Sequence, residues 1–252
     1  MRLDAYLVQI GMFESRTKAQ QAIERGEIIL GGVAITKSSY QISDTSLDIK
    51  RICESSYVSI GGFKLEKALN DFGFNVENLV VADIGASTGG FTHCLLLNNA
   101  KKVYSVDLRD DLLHDSLKND NRVKLIVKNA KFLTTDDFDE QLDLIVADLS
   151  FISLSAVIDT FKNLVELGKY LILLIKPQFE TGKRCNFKNG IIRDKSIHVS
   201  VVKKIYNLCV ENDLAPIKIT KTNAEKNKNV EFLILLKKGA MPTLEIDFYK
   251  DI

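Results

Sequence analysis

The stretch "LVVADIGASTGGFTHCLL", Leu79 to Leu96, decides how the rest of the chain reads. A largely apolar, β-branched run enters a glycine-rich turn, and an apolar helical pattern resumes at Phe91. Strand, turn and helix in that order form a unit whose turn holds a small ligand in α/β proteins. A nucleotide phosphate is a poor fit. A Walker loop needs a lysine after its last glycine, and Phe91 stands in that place. The pattern GxGxxG also fails, because Ala86-Ser87 replaces the close second glycine. Asp83 would repel a phosphate but suits a cationic amino group. The next strand ends in Asp107, placed to hydrogen-bond a ribose diol. A ligand with an ammonium, a ribose and no phosphate is S-adenosylmethionine. The alternative is a tight strand-to-helix turn with a purely structural aspartate, and this segment alone leaves both open.

Outward from the turn, strands and helices alternate. "LVVADI", "KKVYSVD", "RVKLIV", "LDLIVAD" and "KYLILLIK" read as strands, mostly continuous apolar runs of the kind buried on both faces of a parallel sheet. Helices are expected at 61–73, 89–98, 110–117, 154–167 and 195–212, and "APIKITKT" and "VEFLILLKK" close the sheet. The fold class is α/β, a doubly wound sheet with ligands at the carboxyl ends of its strands.

The first fifty-odd residues differ in character. Leu3, Tyr6, Leu7 and Ile10 recur at helical spacing before Gly11. Ser15 caps a second helix with Ala19, Ala22 and Ile23 on its buried side, leaving Arg16, Lys18, Gln20, Gln21 and Arg25 on the open side. "EIILGGVAIT" reads as a strand pair around Gly31-Gly32, and the polar run "KRICESS" as a linker. Expected boundaries are a small α+β domain at 1–53, a linker at 54–61, the sheet domain at 62–240 and a tail at 241–252.

With 46% hydrophobic and 27% charged residues the chain has the composition of a folded soluble protein, and no apolar run approaches the ~18 residues of a membrane-spanning helix. The amino terminus lacks a secretory core. Cys53, Cys94, Cys185 and Cys209 are scattered, with no CxxC and no histidine at ligand spacing. Reduced thiols, no metal and a cytoplasmic location are expected. The net charge of +1 conceals a basic segment from Lys183 to Lys238, compatible with a polyanion-facing side or with a solvated lysine-rich surface.

Asp148 ends the fourth strand and Lys176 the fifth, so both open onto the crevice beside the glycine turn. Taken singly, Asp148 is equally a helix cap and Lys176 a snorkelling lysine. Lys64 stands in the helix before the first strand, and Glu231 interrupts the last apolar run.

Lys64, Asp148, Lys176 and Glu231 occur in the order of the Lys-Asp-Lys-Glu tetrad of FtsJ-like ribose 2′-O-methyltransferases, which this segment resembles. Together "YVSIGGFKLEKAL", "DIGASTGGFTHCLL", "ADLSFISL", "LIKPQFE" and "GIIRD" are similar to the TlyA family, often called hemolysin A. "RLDAYLVQIGMFESRTKAQQAIERGEIILGG" resembles the S-four-like RNA-binding module of that family. The resemblance implies a Rossmann-like class I methyltransferase sheet of seven mostly parallel strands and 2′-O-methylation of cytidines in small- or large-subunit rRNA. It also implies that Lys64, Asp148, Lys176 and Glu231 are catalytic. Asp83, Gly85, Ala86, Ser87, Gly89, Gly90, Phe91, Asp107 and Leu108 would bind S-adenosylmethionine, and Arg2, Arg16, Lys18 and Arg25 would bind rRNA in ribosomal subunits. Ile60 departs from the family's usual Arg, and His93 from its commoner Asp.

The chemistry agrees with that set. A ribose hydroxyl is a poor nucleophile, and Lys176 can take its proton only as a neutral amine. A neighbouring Lys64 ammonium, a sulfonium and partial burial favour that form. The contrasting function is a non-catalytic RNA-binding assembly factor, which would have no need of two lysines facing one crevice. A pore, suggested by the hemolysin name, lacks any apolar segment to form it.

Overall fold

The structure, a computed structural model, describes residues 1–24, 28–31, 33–42, 49–51, 57–181, 190–222, 228–244, 248 and 252. They fall into two units, Met1–Ser56 and Tyr57–Ile252.

In the first unit, Leu3 and Leu7 lie one turn apart on the buried face of α1 (Leu3–Gln9). Ser15 Oγ accepts the Lys18 N–H at 3.3 Å and starts α2 (Arg16–Glu24), which buries Ala19, Ala22 and Ile23. β1 (Ile28–Leu30) pairs antiparallel with β2 (Val33–Ile35) and, on its other edge, with β3 (Ile49–Arg51). The polar run "KRICESS" predicts a linker there, yet its first residues belong to β3. Three residues are too few to carry an alternation that sequence can show.

The second unit opens on Tyr57, expected as linker but only 3% exposed. Its hydroxyl donates to Glu66 Oε1 at 2.9 Å, and its ring stands edge-on to Phe63 and His93. α3 (Gly61–Phe72) follows, burying Leu65, Ala68, Leu69 and Phe72 at helical spacing. It stops at Gly73, where Phe74 N–H bonds back to Leu69 O at 2.9 Å. The chain then runs β4 (Val80–Ile84), α4 (Gly90–Leu97), β5 (Lys102–Asp107), α5 (Asp115–Lys118), β6 (Val123–Val127) and β7 (Leu142–Ala147). α6 (Ile158–Leu164), β8 (Val165–Ile175), α7 (Pro177–Glu180), α8 (Lys195–Glu211), β9 (Leu214–Lys221) and β10 (Phe232–Lys238) complete it.

The seven strands lie in the order β6-β5-β4-β7-β8-β10-β9, parallel except for β10, which is antiparallel to both neighbours. Both faces are apolar, which is why the strands read as continuous runs. Val81, Leu144, Val146 and Ile172 meet Leu65, Phe91 and Leu95 on one face. Ala82, Ile84, Ile145 and Leu173 meet Phe161 and Ile205 on the other. Chain order reverses between β4 and β7, and the crevice at that switch point is where a ligand sits in such sheets.

Three expectations shift. The helix expected over 110–117 is reduced to α5, because Arg109 bonds Asp111 locally and His114 Nδ1 caps only Ser116 N–H. The helix expected to 167 ends at Leu164, because β8 reaches back to pair Val165 with Leu142. The described residues of the tail are tied down: Thr243 and Leu244 N–H groups bond Pro216 O, and Ile252 is 8% exposed against the core.

Candidate active site

The glycine turn is held open by backbone geometry. Gly85 has φ 85°, and a Cβ there would lie 2.7 Å from the Asp148 carbonyl oxygen, so only glycine lets the ends of β4 and β7 meet. Gly85 and Ala86 both donate N–H to Val106 O, at 2.8 and 3.0 Å, tying the turn to β5. Ser87, at φ 50°, donates its N–H to Asp107 Oδ2 at 2.8 Å, and Leu108 N–H donates to Asp107 Oδ1 at 2.7 Å. Asp107 is therefore fixed by two backbone donors, and each oxygen keeps a second lone pair for a diol.

Asp83 has two different oxygens. Oδ2 accepts Thr92 N–H at 2.8 Å and Thr92 Oγ1–H at 2.7 Å, and so caps the amino end of α4. Oδ1 is buried and has no hydrogen-bond partner among the described residues. The structural and the ligand-binding readings of this aspartate thus apply to different atoms. Burial pushes its pKa up to about 7, with Asp148 and Asp107 adding to the rise and the Thr92 hydrogen bonds opposing it. An unpartnered acceptor on a buried carboxylate suits an ammonium. Phe91 and Gly90 have a packing duty as well. Phe91 is a core residue, 3% exposed, and a Cβ at Gly90 would collide with Ser59 Oγ, so both serve the packing of α4 against the start of α3.

The four expected catalytic residues meet at one place. Asp148 follows β7, and its N–H bonds Ile84 O at 3.1 Å. Lys176 follows β8. Because β10 runs antiparallel to β8 with Phe232 opposite Ile175, Glu231 lies at the same end of the sheet as Lys176. Lys64 reaches in from α3 and donates to Glu231 Oε2 at 2.6 Å, with Asp148 Oδ2 3.9 Å away. Lys176 Nζ stands 2.5 Å from Asp148 Oδ1 as an ion pair, while its aligned hydrogen bond goes to Ser150 Oγ at 2.9 Å. Asp148 therefore stands between two lysine side chains. The side chains of Lys176 and Glu231 are 10% and 11% exposed, those of Lys64 and Asp148 24% and 20%. Charges so far from water interact strongly, and breaking one contact disturbs the rest.

Several neighbours escape the sequence reading. Ser150 shares Lys176, and Gln178 Nε2 donates to Glu231 Oε1 at 3.1 Å. Phe179 lies 5.8 Å from Lys176 Nζ and 5.2 Å from the ring of Phe151, which has φ 65° and is 91% exposed. All four stand inside "ADLSFISL" and "LIKPQFE", where a lone serine or phenylalanine has no periodic signature.

In the first unit, Asp4 is fully buried and collects Arg2, Arg16 and Gln20. Burial raises its pKa, but hydrogen bonds from these three side chains and Ala5 N–H outweigh that and hold it well below the usual carboxylate range. Arg16, expected on an open face, and Arg2, expected among the RNA-binding residues, are 55% and 40% exposed and held to Asp4 on one side. Lys18 pairs with Glu14, and Arg25 lies outside the described residues. Cys94 and Cys209 are free and buried, while Cys53 and Cys185 lie outside the described residues.

The family model for FtsJ-like methyltransferases matches residues 57–238, and that for the S4 domain matches residues 1–46. Hemolysin A of Brachyspira hyodysenteriae is 41% identical over 235 residues, covering 89% of this chain and 97% of the relative. The 16S/23S rRNA (cytidine-2′-O)-methyltransferase TlyA of Mycobacterium tuberculosis is 37% identical over 203 residues, 80% of this chain and 76% of that protein. A solved structure from Streptococcus thermophilus that carries a hemolysin name superposes with a TM-score of 0.76 at 33% identity, covering 100% of this chain and 94% of the other. With an S4 domain in front and an FtsJ-like domain behind, and such relatives along most of its length, this chain belongs to the TlyA family of FtsJ-like methyltransferases.

Proposed function

We propose that this protein methylates the ribose 2′-hydroxyl of cytidine in rRNA, using S-adenosylmethionine. The observation that carries the reading is the continuous charge chain Glu231–Lys64–Asp148–Lys176 beside a glycine turn whose buried carboxylate has an oxygen unpartnered among the described residues. Asp83 Oδ1 would hold the ligand's ammonium and Asp107 its ribose. S-Adenosylmethionine supplies a methyl group on a cationic sulfonium. Lys176 Nζ takes the proton of the 2′-hydroxyl as a neutral amine, the form that the neighbouring Lys64 ammonium and the sulfonium favour, and Asp148 and Ser150 fix that nitrogen in place. Glu231 holds Lys64 at the mouth, where its ammonium steadies the developing alkoxide. Most of the acceleration would be orientation, which reaches up to ~7–11 kcal/mol in favourable intramolecular models. General-base help adds on the order of 10²–10⁴ in rate.

The exposed Phe151 beside Phe179 offers an aromatic face to an unstacked base, and Arg2 and Arg16 offer guanidinium groups to phosphates. RNA of the ribosome, small or large subunit, is the proposed partner and the cytoplasm the proposed location. Among the described residues no helix is long and apolar enough to cross a membrane.

The test is incubation of unmodified rRNA and ribosomal subunits with the protein and labelled S-adenosylmethionine, followed by nucleoside analysis. 2′-O-Methylcytidine should appear, and should vanish with Lys176→Ala. A base-methylated product, or none with any rRNA substrate, would overturn the reading.

A further inference from the structure

One buried carboxylate has no part in the network just described. Glu180, at the end of α7, is 3% exposed. Its Oε1 accepts Leu154 N–H at 2.7 Å, and its Oε2 accepts the Ser153 hydroxyl at 2.5 Å. Lys204 of α8 donates to the Glu180 carbonyl at 3.0 Å, with its ammonium 3.8 Å from Oε2. Glu180 therefore joins the segment after β7 to the segment after β8. These are the segments that carry Asp148, Ser150 and Phe151 on one side and Lys176, Gln178 and Phe179 on the other.

Apolar contacts hold both segments to the body, with Leu149 and Ile152 against the core and Pro177 buried, but both are short or irregular. α7 is a single turn entered through Pro177, and the loop from Asp148 to Ser153 contains Phe151 in the left-handed region. Phe151 is almost wholly exposed, so packing of its ring against a core does not set that backbone. The loop is anchored at one end by Asp148 N–H on Ile84 O and at the other by Leu154, which is 2% exposed and bonded to Glu180. The Lys176–Asp148 and Lys176–Ser150 contacts span the same gap farther in. Two ties across one gap fix a distance that either alone would leave soft.

We infer that Glu180 is a positioning residue: its carboxylate clamps the post-β7 loop to α7 and thereby sets the spacing of Lys176 Nζ from Asp148 and Ser150, and of Phe179 from Phe151. This rests on the reading of Lys176 as the proton-accepting group. The charge of Glu180 is not the working feature; its two acceptor oxygens and its reach are. A glutamine keeps one acceptor for Leu154 N–H and can meet Ser153 Oγ with its amide, whereas aspartate is one methylene too short.

The experiment measures steady-state methylation of rRNA by the full chain with Glu180→Ala, Glu180→Asp, Glu180→Gln and Lys176→Ala, with calorimetric binding of S-adenosylhomocysteine and thermal unfolding of each. Misplacement of a catalytic group by about 1 Å costs up to about 100-fold. Glu180→Ala and Glu180→Asp should lose ten- to a hundredfold in kcat, with KM for S-adenosylmethionine and affinity for S-adenosylhomocysteine within twofold of wild type. Glu180→Gln should recover most of kcat. A folded Glu180→Ala with wild-type kcat overturns the inference, as does a loss in Glu180→Ala that Glu180→Gln does not relieve. If Glu180→Ala does not fold, Glu180→Asp and Glu180→Gln carry the same comparison. Should Lys176→Ala keep full activity, the role given to that lysine fails; an inactive Lys176→Ala with an active, folded Glu180→Ala rejects the clamp alone.

Discussion

Cofactor binding should depend on pH through Asp83, and the size of the effect follows from its surroundings. The ammonium of S-adenosylmethionine needs an ionised partner, yet burial raises the Asp83 pKa to about 7 in the ligand-free protein. Below that pH the carboxyl is mostly protonated and must lose its proton for the cation to be held. The apparent Kd then scales as one plus ten to the power (pKa − pH). Between pH 7 and pH 5.5 affinity should weaken by roughly 15-fold, or about 1–2 kcal/mol. The ligand's own α-amino group titrates only near ~8, so this window belongs to the protein. Calorimetry in two buffers of different ionisation enthalpy should report release of about half a proton per ligand at pH 7 and nearly one at pH 5.5. The same shift has a cost in the free protein. With the folded pKa above the unfolded one, stability is highest at low pH and declines as pH rises from about 4 to 7, by up to ~4 kcal/mol for so buried a group. Asp83→Asn should therefore unfold at a higher temperature than wild type at pH 8 while binding S-adenosylmethionine more weakly and without proton release. Affinity that is flat from pH 5.5 to 7, or unchanged binding by Asp83→Asn, would refute the reasoning.

Other consequences are open to direct measurement. Lys176→Ala and Asp148→Ala should each nearly abolish methylation, and the double variant should be little worse than either, because the two act through one contact; additive losses in single-turnover rates would disprove the shared role. Gly85→Ala combines a forbidden φ with a contact to the Asp148 carbonyl oxygen and should cost about 1–3 kcal/mol in chemical denaturation, with loss of cofactor binding; wild-type stability would count against the turn geometry. Asp4 lies well below its unfolded pKa, so it stabilises the first unit above pH ~4, and this is lost as pH falls further; Asp4→Asn should flatten that acid limb in thermal melts, and an unchanged limb would contradict it. A fragment beginning at Glu54 should fold and bind S-adenosylmethionine but methylate ribosomal subunits poorly, since phosphate contacts set register; full methylation would assign no role to Arg2, Arg16 and Lys18.

What the sequence made legible follows the physics of each signal. Asp148 and Lys176 stand out because each ends a long apolar run, and parallel strands deliver such residues to one edge. Glu231 carries no such mark. It interrupts the last apolar run, but its place depends on β10 being antiparallel, a fact of pairing that composition does not encode, so the family resemblance was needed to give it a role. Ser150 and Gln178 contribute single hydrogen bonds from irregular or one-turn segments, which leave no period to detect. Asp4 was hidden differently. An acidic residue in a first helical turn has a sufficient local reason in the helix dipole, and its capture of two arginines and a glutamine becomes visible only when α1 and α2 pack.

The antiparallel course of β10 also imposes an order on assembly. Lys64 is made early, and its partner Glu231 arrives 167 residues later. Synthesis delivers the S4 module, the glycine turn, Asp148 and Lys176 before the strand that completes the site exists. Insertion of β10 between β8 and β9 is a pairing of distant segments, the kind of step whose entropic cost makes it slow. A nascent chain therefore holds its S4 module while Lys64 still waits for Glu231. A chain cut short before β10 would keep the module and lose that partner.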